Sequence, residues 1–253
     1  MPEALTIIDE NKVIDVVLLA GKVLLESGAE TYRVEDTMGR IAASFGLKDT
    51  HAFVTSTAIM FSLNDRTNTR LVRVRERTTD LEKIAIANNV SRKISSKELS
   101  LDEAKSELIH LERASLQYSF VVKFLSAAIA SGFFMFMFGG VRHDFPFAVL
   151  AGAGAFLTFD IVQRFIQIKF FSEFISSMVV IMVAAFFTKI GWAINQDIIT
   201  IAGVMPLVPG ILITNAIRDL MAGELLAGMS RGVEAALTAF AIGAGVAIVL
   251  LIF

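Results

Sequence analysis

Two prolines and two glycines fall within the eight residues Gly203-Val204-Met205-Pro206-Leu207-Val208-Pro209-Gly210, inside an otherwise apolar stretch. Such a run does not continue a regular helix. Each proline removes a backbone donor, and the carbonyls it frees need partners inside the protein or in a wet cavity. Broken apolar helices of this type bind small solutes, with half-helix N-termini facing carboxylates and carbonyls facing cations. A proline kink used only for packing is the other reading. If helix resumes after Gly210, Asn215 and Asp219 lie at i,i+4 on one face, with Thr214 and Arg218 on the adjoining one. This Arg–Asp neighbourhood could gate a path or hold a substrate carboxylate; an interfacial salt bridge is the alternative. Gly223-Glu224 and Gly228 then make a short connection, followed by Arg231 and Glu234 at i,i+3. A carboxylate one turn into an apolar helix is costly unless paired or protonated, so Glu234 is either a proton site or the partner of Arg231. Asp160 and Glu173 are further acidic candidates, with Arg164 or Lys169 as ordinary partners.

The elements that must position these residues follow from an uneven composition. Residues 1–118 hold 18 acidic and 16 basic side chains, whereas residues 119–253 hold 7 of each and 18 of the 21 phenylalanines. A soluble globule of this size carries about 25% charge throughout, so the second half reads as membrane-embedded. Five spans are expected, at roughly 119–140, 145–162, 172–190, 198–217 and 232–253, one of them broken by proline and glycine. Gly152, Gly154, Gly243 and Gly245 permit close helix approach. The stretch Val13 to Leu25, interrupted by Asp15 and Lys22, does not read as a signal peptide. Among short loops, Arg164, Lys169, Arg218 and Arg231 outnumber Arg142 and Lys189, which favours an inside front domain and an outside C-terminus at Phe253. A pI near 6.0 argues against nucleic acid as a partner. There is no cysteine, and His51, His110 and His143 lie in separate regions, so neither a metal site nor a cofactor nor a nucleophilic catalytic pair is expected.

The front domain, residues 1–117, reads as a small α+β unit, with the membrane domain over 118–253. Helices are expected over 8–28 and 31–45, ended by Gly28 and Gly46. His51–Leu63 and Thr69–Arg75, joined by residues 64–68, read as a hairpin. Thr79 to Glu82 and Ser100 to Glu103 open two more helices with capping boxes. Arg66, Arg70, Arg73, Arg75 and Arg77 suit either an anionic surface or a solvated hairpin edge.

The runs Met205 to Gly210, Asn215 to Leu220 and Gly223 to Gly228, with Arg231, resemble the threonine/serine exporter family. The front segment Gly28-Ala29-Glu30-Thr31-Tyr32-Arg33-Val34-Glu35, with Gly46-Leu47, is similar to the N-terminal region of the same family. The resemblance implies secondary-active export of small amino acids from a bacterial cytoplasm across the cell (inner) membrane. Some members are one ten-span chain; others work with a separate small membrane subunit, and such pairs are associated with succinate export. It implies a multi-pass protein in the lipid bilayer, not an enzyme, that works with a second small membrane subunit of four or five spans; a homo-oligomer is expected in addition. A five-span unit is half of an inverted-repeat transporter, which also points to a partner. On this reading Pro206, Pro209 and Gly210 break the span, and Thr214, Asn215 and Arg218 contact a carboxylate-bearing solute, Thr/Ser-like or succinate-like. Asp219, Glu234, Arg231 and Asp160 serve proton coupling or gating. A membrane scaffold or sensor whose front domain receives a signal is the competing expectation.

Overall fold

A computed structural model describes residues 10–63 and 69–252. The chain forms ten α-helices and three strands among these residues, in two compact units: 1–117 with 214–232, and 118–213 with 233–253.

In the first unit, α1 (Glu10–Glu26) buries Val13, Val17, Leu18, Gly21, Leu24 and Leu25, the spacing that marks it as a helix. It ends in a Schellman turn: Ala29 N donates to Leu24 O (3.0 Å) and Gly28 N to Leu25 O (3.1 Å), with Gly28 at φ +88°. Helix α2 (Thr31–Ser44) packs Val34, Met38 and Ile41 into the same core. Strands β1 (Thr50–Val54), β2 (Ala58–Leu63) and β3 (Arg70–Arg73) form an antiparallel sheet in that order, with Val54 opposite Ile59 and Phe61 opposite Arg70. Ile59, Phe61 and Leu63 alternate inward. The expected single strand over His51–Leu63 is therefore two. The Thr55 hydroxyl accepts from Ala58 N (3.1 Å), while Thr55 N donates to Ala58 O (2.8 Å), closing a tight turn that a run of β-formers conceals. The 64–68 connection, with Arg66, lies outside the described residues. Helix α3 (Leu81–Ser95) is capped by Asp80, which accepts from Lys83 N, one residue later than the expected Thr79 box. Helix α4 (Leu101–Arg113) carries the expected capping box of Ser100 and Glu103. Arg70 donates to Asp15 (2.6 Å) and Asn11 (2.7 Å), so this arginine is tied to α1.

The second unit holds α5 (Phe120–Met137), α6 (Phe145–Ile166), α7 (Lys169–Lys189), α8 (Gln196–Val204), the start of α9 (Gly210–Met221) and most of α10 (Leu225–Ile252). Among the described residues, four helices are long and apolar enough to cross a membrane, and a fifth if α8 and α9 count as one span. Small residues set the approaches. A Cβ on Gly152 would lie 3.2 Å from Ala127 O on α5, and one on Gly203 would lie 2.7 Å from Val180 Cγ1. Gly245 sits against Phe174 and Ser177 of α7, whereas Gly243 has open space. Asp144 is fully buried and accepts from Ile194 N (2.8 Å), Asn195 N (3.1 Å) and Asn195 Nδ2 (3.0 Å), which pins the turn before α8 to the turn before α6. Beside it, His143 Nε2 meets Trp192 O at 2.8 Å.

Helix α10 begins at Leu225, earlier than the expected 232. The connection is shorter than Gly223 to Gly228 because α9 closes at once: Glu224 N donates to Asp219 O (2.8 Å) and Gly223 takes φ +91°. Gly228 is thus helical, and it lets α10 approach Leu220, whose N would stand 2.9 Å from an added Cβ.

Candidate functional site

The break expected at Pro206 and Pro209 is present. Helix α8 ends at Val204, a 3₁₀ turn follows over Met205–Leu207, and α9 resumes at Gly210, with the two arms bent by 63°. The missing donors are answered locally: Val208 N donates to Met205 O (3.2 Å) and Gly210 N to Val208 O (2.8 Å). Pro206 and Gly210 are exposed and Pro209 is half-buried.

Within the first unit, α9 and the start of α10 meet the turn between α1 and α2. Asn215 Nδ2 donates to Gly28 O at 2.9 Å. Arg218 Nη1 donates to Glu30 Oε1 at 2.7 Å. Asp219 Oδ1 accepts from both the backbone N and the hydroxyl of Thr31, each at 3.0 Å. Arg231 Nη2 donates to Ala29 O at 2.7 Å, and its Nη1 lies 2.9 Å from Asp219 Oδ2. Ser56 Oγ donates to Ser230 Oγ at 3.0 Å and ties the β1–β2 turn to the same place. Thr31 and Asp219 are fully buried and Arg231 is 2% exposed. Thr31 is the first residue of α2, whose own N-cap, Glu30, makes no side-chain cap. Asp219 therefore supplies the carboxylate that a helix N-terminus favours, from far along the chain.

Burial pushes the Glu30 carboxyl up, but the Arg218 hydrogen bond, its backbone hydrogen bond and the charges of Arg33 and Arg218 outweigh it, leaving Glu30 below the ordinary 4.5. Glu35, on the next turn of α2, accepts from Val54 N at 2.7 Å; burial holds it above the ordinary value, with Glu224 adding repulsion. Asp160 pairs with Arg164 at 2.7 Å, the ordinary partner expected for it. Glu173 is buried at 2% exposure, Glu234 is half-buried, and Thr214 is exposed.

The structure thus gathers Asn215, Arg218, Asp219 and Arg231 on one turn of the first unit. Pro206, Pro209, Gly210, Asp160 and Glu234 belong to the second. Glu30, Thr31 and the carbonyls of Gly28 and Ala29 are the residues that spacing missed. The segment similar to the family's N-terminal region contains them, but no periodicity links positions separated by 188 residues.

Known proteins were compared with the chain. A family model described as "Putative threonine/serine exporter" matches residues 15–253. A curated relative from Mycobacterium tuberculosis, named "Probable threonine/serine exporter", is 24% identical over 230 residues, covering 87% of this chain and 42% of its own length. The chain therefore spans less than half the length of that relative. No solved structure matches.

Proposed function

The chain belongs to the threonine/serine exporter family, and from that premise we propose that it forms part of a secondary-active, proton-coupled exporter of small carboxylates. The solutes are threonine- or serine-like amino acids or succinate-like diacids. The family is one of transporters, and the apolar helices make the chain a multi-pass membrane protein.

The observation that carries the proposal is the break between α8 and α9, where two prolines and a glycine interrupt an apolar helix pair and a new helix N-terminus opens at Gly210. Pro206, Pro209, Gly210 and Thr214 form the path there. Asn215 and Arg218 receive the carboxylate one turn on. Arg218 is 60% exposed while bonded to Glu30, so its fork keeps donors for a solute. Asp219 and Glu234 are the proposed proton sites, with Arg231 and Asp160 in gating. The front unit is proposed to face the cytoplasm of a bacterium, with the C-terminus outside its inner membrane. A second membrane polypeptide, of four or five spans, is proposed to complete the transporter.

Counterflow tests this reading and its solute. Vesicles holding the chain with that polypeptide are loaded with unlabelled threonine or succinate and given the labelled solute outside. Exchange that saturates with either solute supports the exporter and chooses between the classes. Folded protein that exchanges neither favours a scaffold or sensor.

A further inference from the structure

Helices α2 and α3 face each other across a polar cleft of about 260 Å³ in the first unit. From α2 it receives Arg33, Thr37 and Arg40, which helical spacing sets on one face; from α3 it receives Asn88, Ser91 and Arg92. Asp36 is the one carboxylate in the lining and is paired with Arg40. Arg33 stands 3.7 Å from Glu30, a carboxylate already taken by Arg218. No ion pair engages Arg92 among the described residues. Three guanidinium groups against one carboxylate leave the cleft with a surplus of two positive charges.

The second observation is Ser91. A helical serine ordinarily discharges its hydroxyl on the carbonyl one turn back, as Ser95 Oγ does on Ser91 O at 3.0 Å. The Ser91 side chain is 2% exposed, and among the described residues its Oγ has no hydrogen-bond partner. A buried hydroxyl without a partner costs free energy that a native structure seldom leaves unrecovered. Here the hydroxyl borders a cleft of surplus positive charge, and an anion seated there would accept its hydrogen bond. One guanidinium fork satisfies a planar carboxylate. Donors arriving from two helices suit a tetrahedral dianion: the guanidinium groups, the Ser91 hydroxyl, and the N–H that Asn88 Nδ2 keeps beyond the one it gives to Ile84 O at 2.9 Å.

We propose that the α2–α3 cleft is a binding site for a phosphate group, either a small soluble phosphate monoester or the headgroup of an anionic lipid. The proposal does not depend on the exporter reading.

The test measures thermal unfolding of the full chain in detergent with inorganic phosphate, glycerol phosphate or dihexanoyl phosphatidic acid. Chloride at equal ionic strength and dihexanoyl phosphatidylcholine serve as controls. Phosphate at millimolar concentration is expected to raise the Tm. Arg92→Gln removes the rise, Ser91→Ala weakens binding about tenfold, the worth of a hydrogen bond to a charged group, and Arg113→Gln, an exposed cation on α4, leaves it unchanged. Without phosphate, Ser91→Ala keeps or raises the Tm, because the unpartnered hydroxyl is gone, so a folding defect is separable from lost binding. Tighter binding of the phosphatidic acid than of glycerol phosphate assigns the site to a lipid headgroup, and equal binding assigns it to a soluble ester. No phosphate-specific shift in the wild-type chain, or a shift undiminished in both Arg92→Gln and Ser91→Ala, overturns the proposal.

Discussion

Asp219 and Arg231 are the residues on which the first unit's packing is most exposed to a single change. Both are buried, 2.9 Å apart, and each also serves a backbone group of the Gly28–Thr31 turn. Replacing a well-packed buried pair can be neutral, but removing one partner strands the other charge. Asp219→Asn is therefore expected to cost about 3–5 kcal/mol of stability, read by chemical denaturation. Arg231→Met placed on top should recover part of it, since the stranded guanidinium is then absent. Glu30 and Glu35 predict opposite pH responses. Glu30 lies below its ordinary value, so its contribution is full above that value and is lost as pH falls through the lowered one. Glu35 lies above, so its contribution is full at low pH and is lost as pH rises through the raised value. In Tm against pH, Glu30→Gln should flatten the acid limb, and Glu35→Gln should lift the neutral side. Unchanged profiles would remove both assignments. At this scale the sequence displayed the residue types and the i,i+4 spacing of Asn215 and Asp219. It could not display their partners, because pairing across 188 positions is set by tertiary packing.

At the scale of elements, the α1–α2 turn does two tasks through one glycine. Gly28 ends α1 in the left-handed region and offers its carbonyl to Asn215. A Cβ there would stand 3.0 Å from Thr78 O as well as being strained by φ +88°. Gly28→Ala is expected to destabilise by about 1–2 kcal/mol, lowering the Tm and weakening the hold of the turn on α9. Helix ends were the most legible features, because their signals are local. Gly28, Gly46 and the Ser100–Glu103 box all act where their chemistry suggests. The proline break in α8–α9 was legible for the same reason. The β1–β2 turn was not, since Thr55-Ser56-Thr57 uses β-forming residues and a side-chain hydroxyl in place of glycine or proline. The start of α10 was read late because Gly228 looks like loop and is instead the contact point for Leu220.

At the scale of the molecule, the composition split that separates a charged front from an apolar back corresponds to two compact units, with 214–232 packing in the first. That segment carries Asn215, Arg218, Asp219 and Arg231, so the residues proposed to receive solute are held by the charged unit's own turn, while the proline break lies in the other. The proposed proton-driven export would require these groups to exchange partners as solute passes. Labelled threonine and succinate accumulation in inverted membrane vesicles, with the proposed partner polypeptide present and an acid interior imposed, tests the central claim most directly. The account predicts accumulation of one solute class that collapses when the gradient is discharged and that Arg218→Gln reduces at least about tenfold, the loss of one charge-assisted contact. Folded wild-type chain that accumulates neither solute under the gradient would contradict it.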